Sequence, residues 1–318
     1  MSSVQKPIVV VGSINVDFVA TATKIPVAGE TITGQDFQLH FGGKGANQAV
    51  AVARLGYPVE MIGMVGADSF GSQARTGLQQ AGVGVGAVQS VEGSSGVATI
   101  TVSQAGENAI VVIPGANAQV TPEYLDQHQE LIRGAGVVLA QLEIPMTTIA
   151  HLAELCHRNG IQLILDPAPA APISPEILSR VGWFTPNETE AEFFAGQIDP
   201  DLASASPERV ARAFVDAGAD AVALKRGSRG VMLLVDGRAP EMLPAPQVDA
   251  VDTTAAGDAF NGAFATGLML GMDPYEAGRF ACAAAAISVT RRGAQPSMPV
   301  RAEVEGLLHE REDATLNL

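Results

Sequence analysis

AVDTTAAGDAFNGAF, residues 250–264, sets Asp252 and Asp258 around a run of small residues, where a strand-like segment gives way to a helix. Ala255, Ala256 and Gly257 carry almost no side chain, so their N–H groups lie open at the positive end of the helix DAFNGAFATGLML. An oxyanion or phosphoryl group can approach such a backbone closely. Asp258 has two readings. Alone, an acid in the first turn caps the helix or complements its dipole. With other ligand-binding groups beside it, it is a general base for a hydroxyl.

Outward from this junction the same alternation repeats. Apolar runs PIVVVGS (7–13), PVEMIGMVG (58–66), GVVLAQLE (136–143), IQLILDP (161–167), VGWFTPN (181–187), DAVALKRG (220–227) and GVMLLVDG (230–237) read as strands. Between them GANQAVAVARLG (45–56), TTIAHLAELCHRNG (147–160) and SPERVARAFVDAG (206–218) read as helices closed by Gly. Continuous apolar strands alternating with helices predict a mostly parallel sheet covered on both faces. Residues 15–41 and 94–117 break the rhythm with period-two alternation and turn residues. They predict a small separate β-sheet, a lid near the strand ends, on an α/β body made of 1–14, 42–93 and 118–318.

In a parallel sheet, the residues that follow the strands share one edge, where open α/β folds bind ligands. Asn15 and Asp17 follow the first strand, Glu143 another, then Asn187, Glu188 and Glu190, then Lys225, Arg226, Gly227 and Ser228. Asp252, Thr253, Thr254 and Asp258 follow VDAV (248–251), which also reads as a strand. Each position alone fits ordinary loop polarity; together they form an active-site rim. FGGKGANQAV (41–50) adds a Gly-rich loop with Lys44 and Asn47 as donors, or alternatively a plain turn into a helix. It is not a Walker A loop, because Gly45 stands where the magnesium-binding hydroxyl belongs. GVGVGA (82–87) approximates a dinucleotide fingerprint but follows a helix-like stretch, SQARTGLQQA, instead of a strand.

Composition narrows the function classes. The 318 residues fit two domains, or one large α/β domain with an attachment. A net charge of −15 opposes a nucleic-acid partner, while an anionic small ligand held by local amide dipoles remains compatible. No apolar stretch is long enough to span a bilayer and no leader precedes the first strand, so a cytoplasmic protein without membrane contact is expected. Cys156 and Cys282 sit in apolar helical contexts and are expected as reduced core thiols. His151 and His157 lack metal-ligand spacing.

SINVD (13–17), GGKGANQA (42–49), QLE (141–143), PNETEAE (186–192), GSRG (227–230), DTTAAGDAFNGA (252–263) and VTRRGAQPS (289–297) occur in the order and spacing of the ribokinases. By these motifs the chain resembles that branch of the sugar and nucleoside kinases, from about Ile8 to the last helix. The resemblance implies a ribokinase-like three-layer α/β sandwich with a mostly parallel central sheet and a small β-sheet lid. It implies ATP-dependent phosphorylation of O5 of D-ribose, with a 2-deoxyribose or other pentose kinase as the alternative.

Position by position, the resemblance makes Asp258 the base and Ala255, Ala256 and Gly257 the anion hole. It assigns sugar binding to Asn15, Asp17, Gly43, Lys44, Gly45, Ala46, Asn47 and Glu143. Asn187 and the loop Lys225, Arg226, Gly227, Ser228, Arg229 and Gly230 match the nucleotide site, with Cys282 packing near the adenine. Glu190 matches the motif that orders Mg2+ through water. Asp252, Thr254, Ser288, Arg291, Gly293 and Ser297 match a loop for a monovalent cation, K+, or else form only a tight turn after the helix at 274–289. The small sheet resembles one that pairs two subunits, which implies a homodimer.

Overall fold

Val9 and Val11 point to one face of a sheet and Val10 to the other, and all three are fully buried. That is why the strands read as unbroken apolar runs: each alternate side chain meets a different helical layer. The computed structural model describes residues 5–235 and 237–316. Its strands are β1 (Ile8–Val11), β2 (Asn15–Ala22), β3 (Asp36–Gly42), β4 (Val59–Gly66), β5 (Gly84–Val91), β6 (Gly96–Ser103), β7 (Asn108–Ile113), β8 (Val137–Gln141), β9 (Gln162–Asp166), β10 (Trp183–Phe184), β11 (Ala221–Lys225), β12 (Val231–Val235) and β13 (Glu241–Leu243). Among the described residues they form a nine-stranded sheet, β13-β12-β11-β10-β9-β8-β1-β4-β5, and a four-stranded sheet, β3-β2-β6-β7. From β11 to β5 the large sheet is parallel; β12 and β13 each run antiparallel to the strand before.

One face of the large sheet carries helices Lys44–Arg54, Ala256–Met269 and Pro274–Ser288, and the other carries Met146–Arg158, Glu188–Ile198 and Pro207–Asp216. The alternation of strand and helix thus becomes a helix–sheet–helix sandwich. The Ala256–Met269 helix is the most enclosed: every residue from Asp258 to Gly267 is buried. Trp183 of β10 packs edge-on against its Phe264, with ring centroids 4.7 Å apart. Gly262 lets the Lys44–Arg54 helix come close, since a Cβ there would lie 2.6 Å from the Ala51 methyl and 3.0 Å from the Gln48 carbonyl oxygen. Small residues therefore set the distance between the two helices that carry the site.

VDAV (248–251) is not a strand. Pro244 and Pro246 remove ladder donors just after β13, and the segment is held instead by the N–H groups of Val251 and Asp252, both donating to the Val289 carbonyl. GVGVGA runs into β5 after helix Ser69–Gln80, with no strand–turn–helix unit. The small sheet takes in Gly42, the last residue of β3, whereas Ala116 and Asn117 belong to the body, where both are buried. Cys156 and Cys282 are free and buried. No helix among the described residues is long and apolar enough to cross a membrane.

Candidate active site

Asp258 occupies the first turn of helix Ala256–Met269 and is almost fully buried. Asn47 Nδ2 donates to its Oδ2 at 3.0 Å, and Gln48 Nε2 donates to its Oδ1 at 3.0 Å. Burial pushes the carboxyl up to about 6, against the pull of the Lys44 ammonium and with a further push from Asp166. No side chain caps this helix. Ala255, its N-cap residue, is left-handed at φ 59°, the lone non-glycine with positive φ among the described residues. Such a conformation costs an alanine about 1–2 kcal/mol, and it turns the chain abruptly into the helix. Gly257 lies beside the Lys225 ammonium: a Cβ there would be 3.5 Å from Nζ.

The loop after β3 brings the second cluster. Gly43 has φ 88°, and a Cβ there would strike the Asn15 amide nitrogen at 2.7 Å; Gly45 is pressed as closely on Ser13. Helix Lys44–Arg54 then begins beneath Asp258, with Ala46 and Asn47 buried in its first turn. Glu143, just after β8, accepts hydrogen bonds from the Ser13 hydroxyl and from the Lys44 amide. Asp17 on β2 is pushed up to about 6 by burial, with the Glu143 charge adding to it. Burial alone would lower the Lys44 ammonium, but Asp258, Asp166, Glu143 and Glu190 surround it and raise it overall, so it stays charged. Asn15 accepts from Asn117 Nδ2 at 2.7 Å. Asn47 Oδ1 is buried without a partner among the described residues.

On the other side of Asp258 lies a mainly apolar cavity of about 250 Å³. Lys225, Gly227, Ser228 and Gly230 line one wall; Ala256, Gly257 and Cys282 line the other. Its size and walls suit a flat heterocycle with phosphates reaching the helix start. Arg226 and Arg229 do not line it: both guanidinium groups pair with Glu188. Asn187 and Glu190 form a reciprocal capping box on helix Glu188–Ile198, at 2.8 and 2.9 Å. The PNETE motif is thus a helix cap first. Burial raises the Glu190 carboxyl, although Lys225 draws it back.

The candidate cation residues also come together. Asp252 Oδ1 accepts from the Thr254 amide at 2.9 Å and Oδ2 from the Gly293 amide at 2.8 Å, tying two loops to one carboxylate. Burial would raise this acid, but hydrogen bonds from Thr254 and Gly293 hold it below its ordinary range. The hydroxyls of Ser288 and Ser297 donate to backbone carbonyls, and the Arg291 guanidinium pairs with Glu303. The structure thus joins Asp252, Thr254 and Gly293 directly, with the Val289 carbonyl accepting from the Asp252 amide.

Two side chains absent from the sequence-derived rim stand at its centre. Asp166 ends β9, buried, with Lys225 Nζ on Oδ1 at 2.8 Å and Gln48 Nε2 on Oδ2 at 2.9 Å. Its signal was in plain view: an acid closing the parallel strand LILD. Gln48 carries no such signal, because its role depends on where the helix packs.

Comparison with known proteins agrees with this geometry. Residues 5–301 match the model of the pfkB family carbohydrate kinases. The chain is 42% identical over 302 residues to the ribokinase of Bacillus subtilis, covering 95% of this chain and 99% of that one. It is 37% identical over 295 residues to the deoxyribokinase of Salmonella typhimurium, covering 92% and 95%. The structure of Arabidopsis thaliana ribokinase complexed with ribose and ATP superposes with a TM-score of 0.88, at 36% identity, covering 96% and 99% of the two chains.

Proposed function

The chain belongs to the pfkB family of carbohydrate kinases, and we propose that this sugar kinase transfers the terminal phosphoryl group of ATP to O5 of D-ribose, giving D-ribose 5-phosphate and ADP. The observation that carries the reading is the place of Asp258. It stands between the polar cluster of Asp17, Lys44, Asn47 and Glu143 and the cavity lined by Gly227, Ser228 and Gly257. A pentose bound in the cluster presents a hydroxyl to Asp258, which removes its proton as phosphorus–oxygen bond formation begins. The amide of Gly257 and the Lys44 ammonium hold the charge of the transferring group, while the Ala256 amide donates to the Thr253 carbonyl at 3.3 Å. Asn15 and Asp17 hold the sugar's secondary hydroxyls, since an amide and a carboxylate can pair with adjacent O–H groups.

Magnesium brought with ATP supplies charge neutralisation at the phosphates. No cluster of three His, Cys, Asp or Glu side chains forms a metal cage among the described residues. An ion that keeps most of its waters would be held by Glu190 through one of them. Asp252, Thr254, Ser288, Arg291, Gly293 and Ser297 would hold K+, whose charge would steady the loop that leads into the helix start. The four-stranded sheet acts as a lid on the sugar. Its outer strand exposes Ile110, Val111, Val112 and Ile113, and β3 exposes Phe37, an apolar surface that suits a second copy in a homodimer. The reaction, on a free pentose and ATP, belongs to the cytoplasm.

The test is ADP release with D-ribose, with 2-deoxyribose and with no sugar, in the native chain and in Asp258→Asn. Ribose should support a higher kcat/KM than 2-deoxyribose, because Asn15 and Asp17 favour the 2-hydroxyl. Asp258→Asn should still bind ribose and lose about 10²–10⁴-fold in turnover. Preference for 2-deoxyribose would transfer the assignment to that sugar, and near-native turnover by Asp258→Asn would remove the base.

A further inference from the structure

Gln48 is the residue through which the two halves of the site touch. Its single amide nitrogen donates to Asp258 Oδ1 at 3.0 Å and to Asp166 Oδ2 at 2.9 Å. Asp166 in turn holds Lys225, whose ammonium lies at the nucleotide cavity. The other end of the amide is fixed as well: Gln141 Nε2, from the last position of β8, donates to Gln48 Oε1 at 2.7 Å. Gln48 is fully buried, as is Gln141. A glutamine amide can flip end for end, and flipped it would present its oxygen to two carboxylates. The Gln141 donor opposes that flip.

We propose that Gln48 is a positioning residue for Asp258, oriented by Gln141, and that it links the base to the Asp166–Lys225 pair on the nucleotide side. The link works by geometry. Asn47 holds one oxygen of Asp258 and Gln48 the other, so the carboxylate is fixed in plane, with one remaining direction for a substrate hydroxyl. Because Gln48 shares its amide with Asp166, a nucleotide that displaces Lys225 from Asp166 alters the hydrogen bond reaching Asp258. The charged groups facing Asp258 are Lys44 from the helix that carries Gln48 and Asp166 from β9, with Lys225 beyond the latter. Gln48 is the neutral donor between the two acids.

This rests on Asp258 being the base, and the experiment separates the two. Gln48→Met keeps the length and removes both donors; Gln141→Met leaves Gln48 in place but frees its amide. Each variant is assayed for kcat, for KM of ribose and ATP, for the pH dependence of kcat, and for thermal unfolding. A hydrogen bond to a charged acceptor corresponds to about one to two pH units. Gln48→Met should therefore move the acid limb of kcat upward by about that much and lower plateau kcat about tenfold or more, with KM for ribose within about threefold. Gln141→Met should shift both in the same direction by less. A folded Gln48→Met with an unmoved acid limb overturns the proposal, as does a loss confined to KM. If Gln48→Met does not fold, an unmoved limb in Gln141→Met overturns it equally. Should Asp258→Asn retain turnover, the base assignment fails first; an inert Asp258→Asn beside an unaffected Gln48→Met sinks this inference alone.

Discussion

Asn47 donates to Oδ2 of Asp258 at 3.0 Å across 211 positions of sequence. The bond joins the first turns of two helices that lie side by side on one face of the sheet. It stabilises the ionised carboxylate that burial disfavours, while Asn47 Oδ1 stays buried without a partner among the described residues.

The pH profile should carry two acid limbs. Asp258 and Asp17 are both pushed up to about 6, in each case first by burial. Turnover needs Asp258 ionised, so kcat should rise with pH through about 6 and level off above it. Asp17→Asn should keep that limb in kcat while simplifying the limb in kcat/KM; an unchanged kcat/KM profile would separate Asp17 from sugar binding. The stability sign is opposite. A raised carboxyl stabilises the fold fully below its unfolded value of 3.8, and this contribution is lost as pH rises through about 6. Chemical denaturation at pH 4.5 and 7.5 should show a smaller loss on raising the pH in Asp258→Asn than in the native chain.

Gly262→Ala tests whether helix spacing sets the chemistry. The added methyl meets Ala51 and the Gln48 carbonyl and must push the Lys44–Arg54 helix outward. Overpacking of this kind costs about 1–3 kcal/mol. It also pulls Asn47 and Gln48 away from Asp258. Expected results are a lower Tm and a fall in kcat larger than any change in KM for ATP; native kcat would show that the two helices can part without disturbing the base.

The proposed cation loop around Asp252 predicts that potassium activates and that sodium does so poorly. Rates in equal concentrations of KCl and NaCl after desalting are the measurement. Asp252→Ala frees the Thr254 and Gly293 amides and should abolish the difference between the ions. Equal rates in both salts for the native chain would reduce the loop to a turn.

What the sequence made legible followed from pattern. Strands β1, β4, β8, β9 and β11 announce themselves as apolar runs because both of their faces are covered, and Asp258 follows three residues with almost nothing to bury. VDAV misled for a physical reason: two prolines precede it, and Val248 and Val251 lie exposed outside any ladder. β5 was hidden by its glycines, and Arg226 and Arg229 lie in the right loop but turn to Glu188. Gln48 and Gln141 lay beyond pattern altogether, since their meaning arises where a helix face meets a strand end 93 residues away.

Asn117 clasps the root of the small sheet. Its Oδ1 accepts from the Ile14 amide at 2.9 Å, and its Nδ2 donates to Asn15 Oδ1 at 2.7 Å, beside Gly96, where a Cβ would collide with both asparagines. Strands β2 and β6 start from this knot as parallel neighbours, with Asn15 paired to Gly96. All four strands join the body at this end, with Gly42 and Gly96 opposite Asn15 and Ile113 opposite Val97, so a lid motion of the sheet would be rotation about this one line, like a door on one post. Asn15, a sugar-binding candidate, stands on that post, and its grip on a pentose would be transmitted to the whole sheet at the point of least leverage and greatest stiffness.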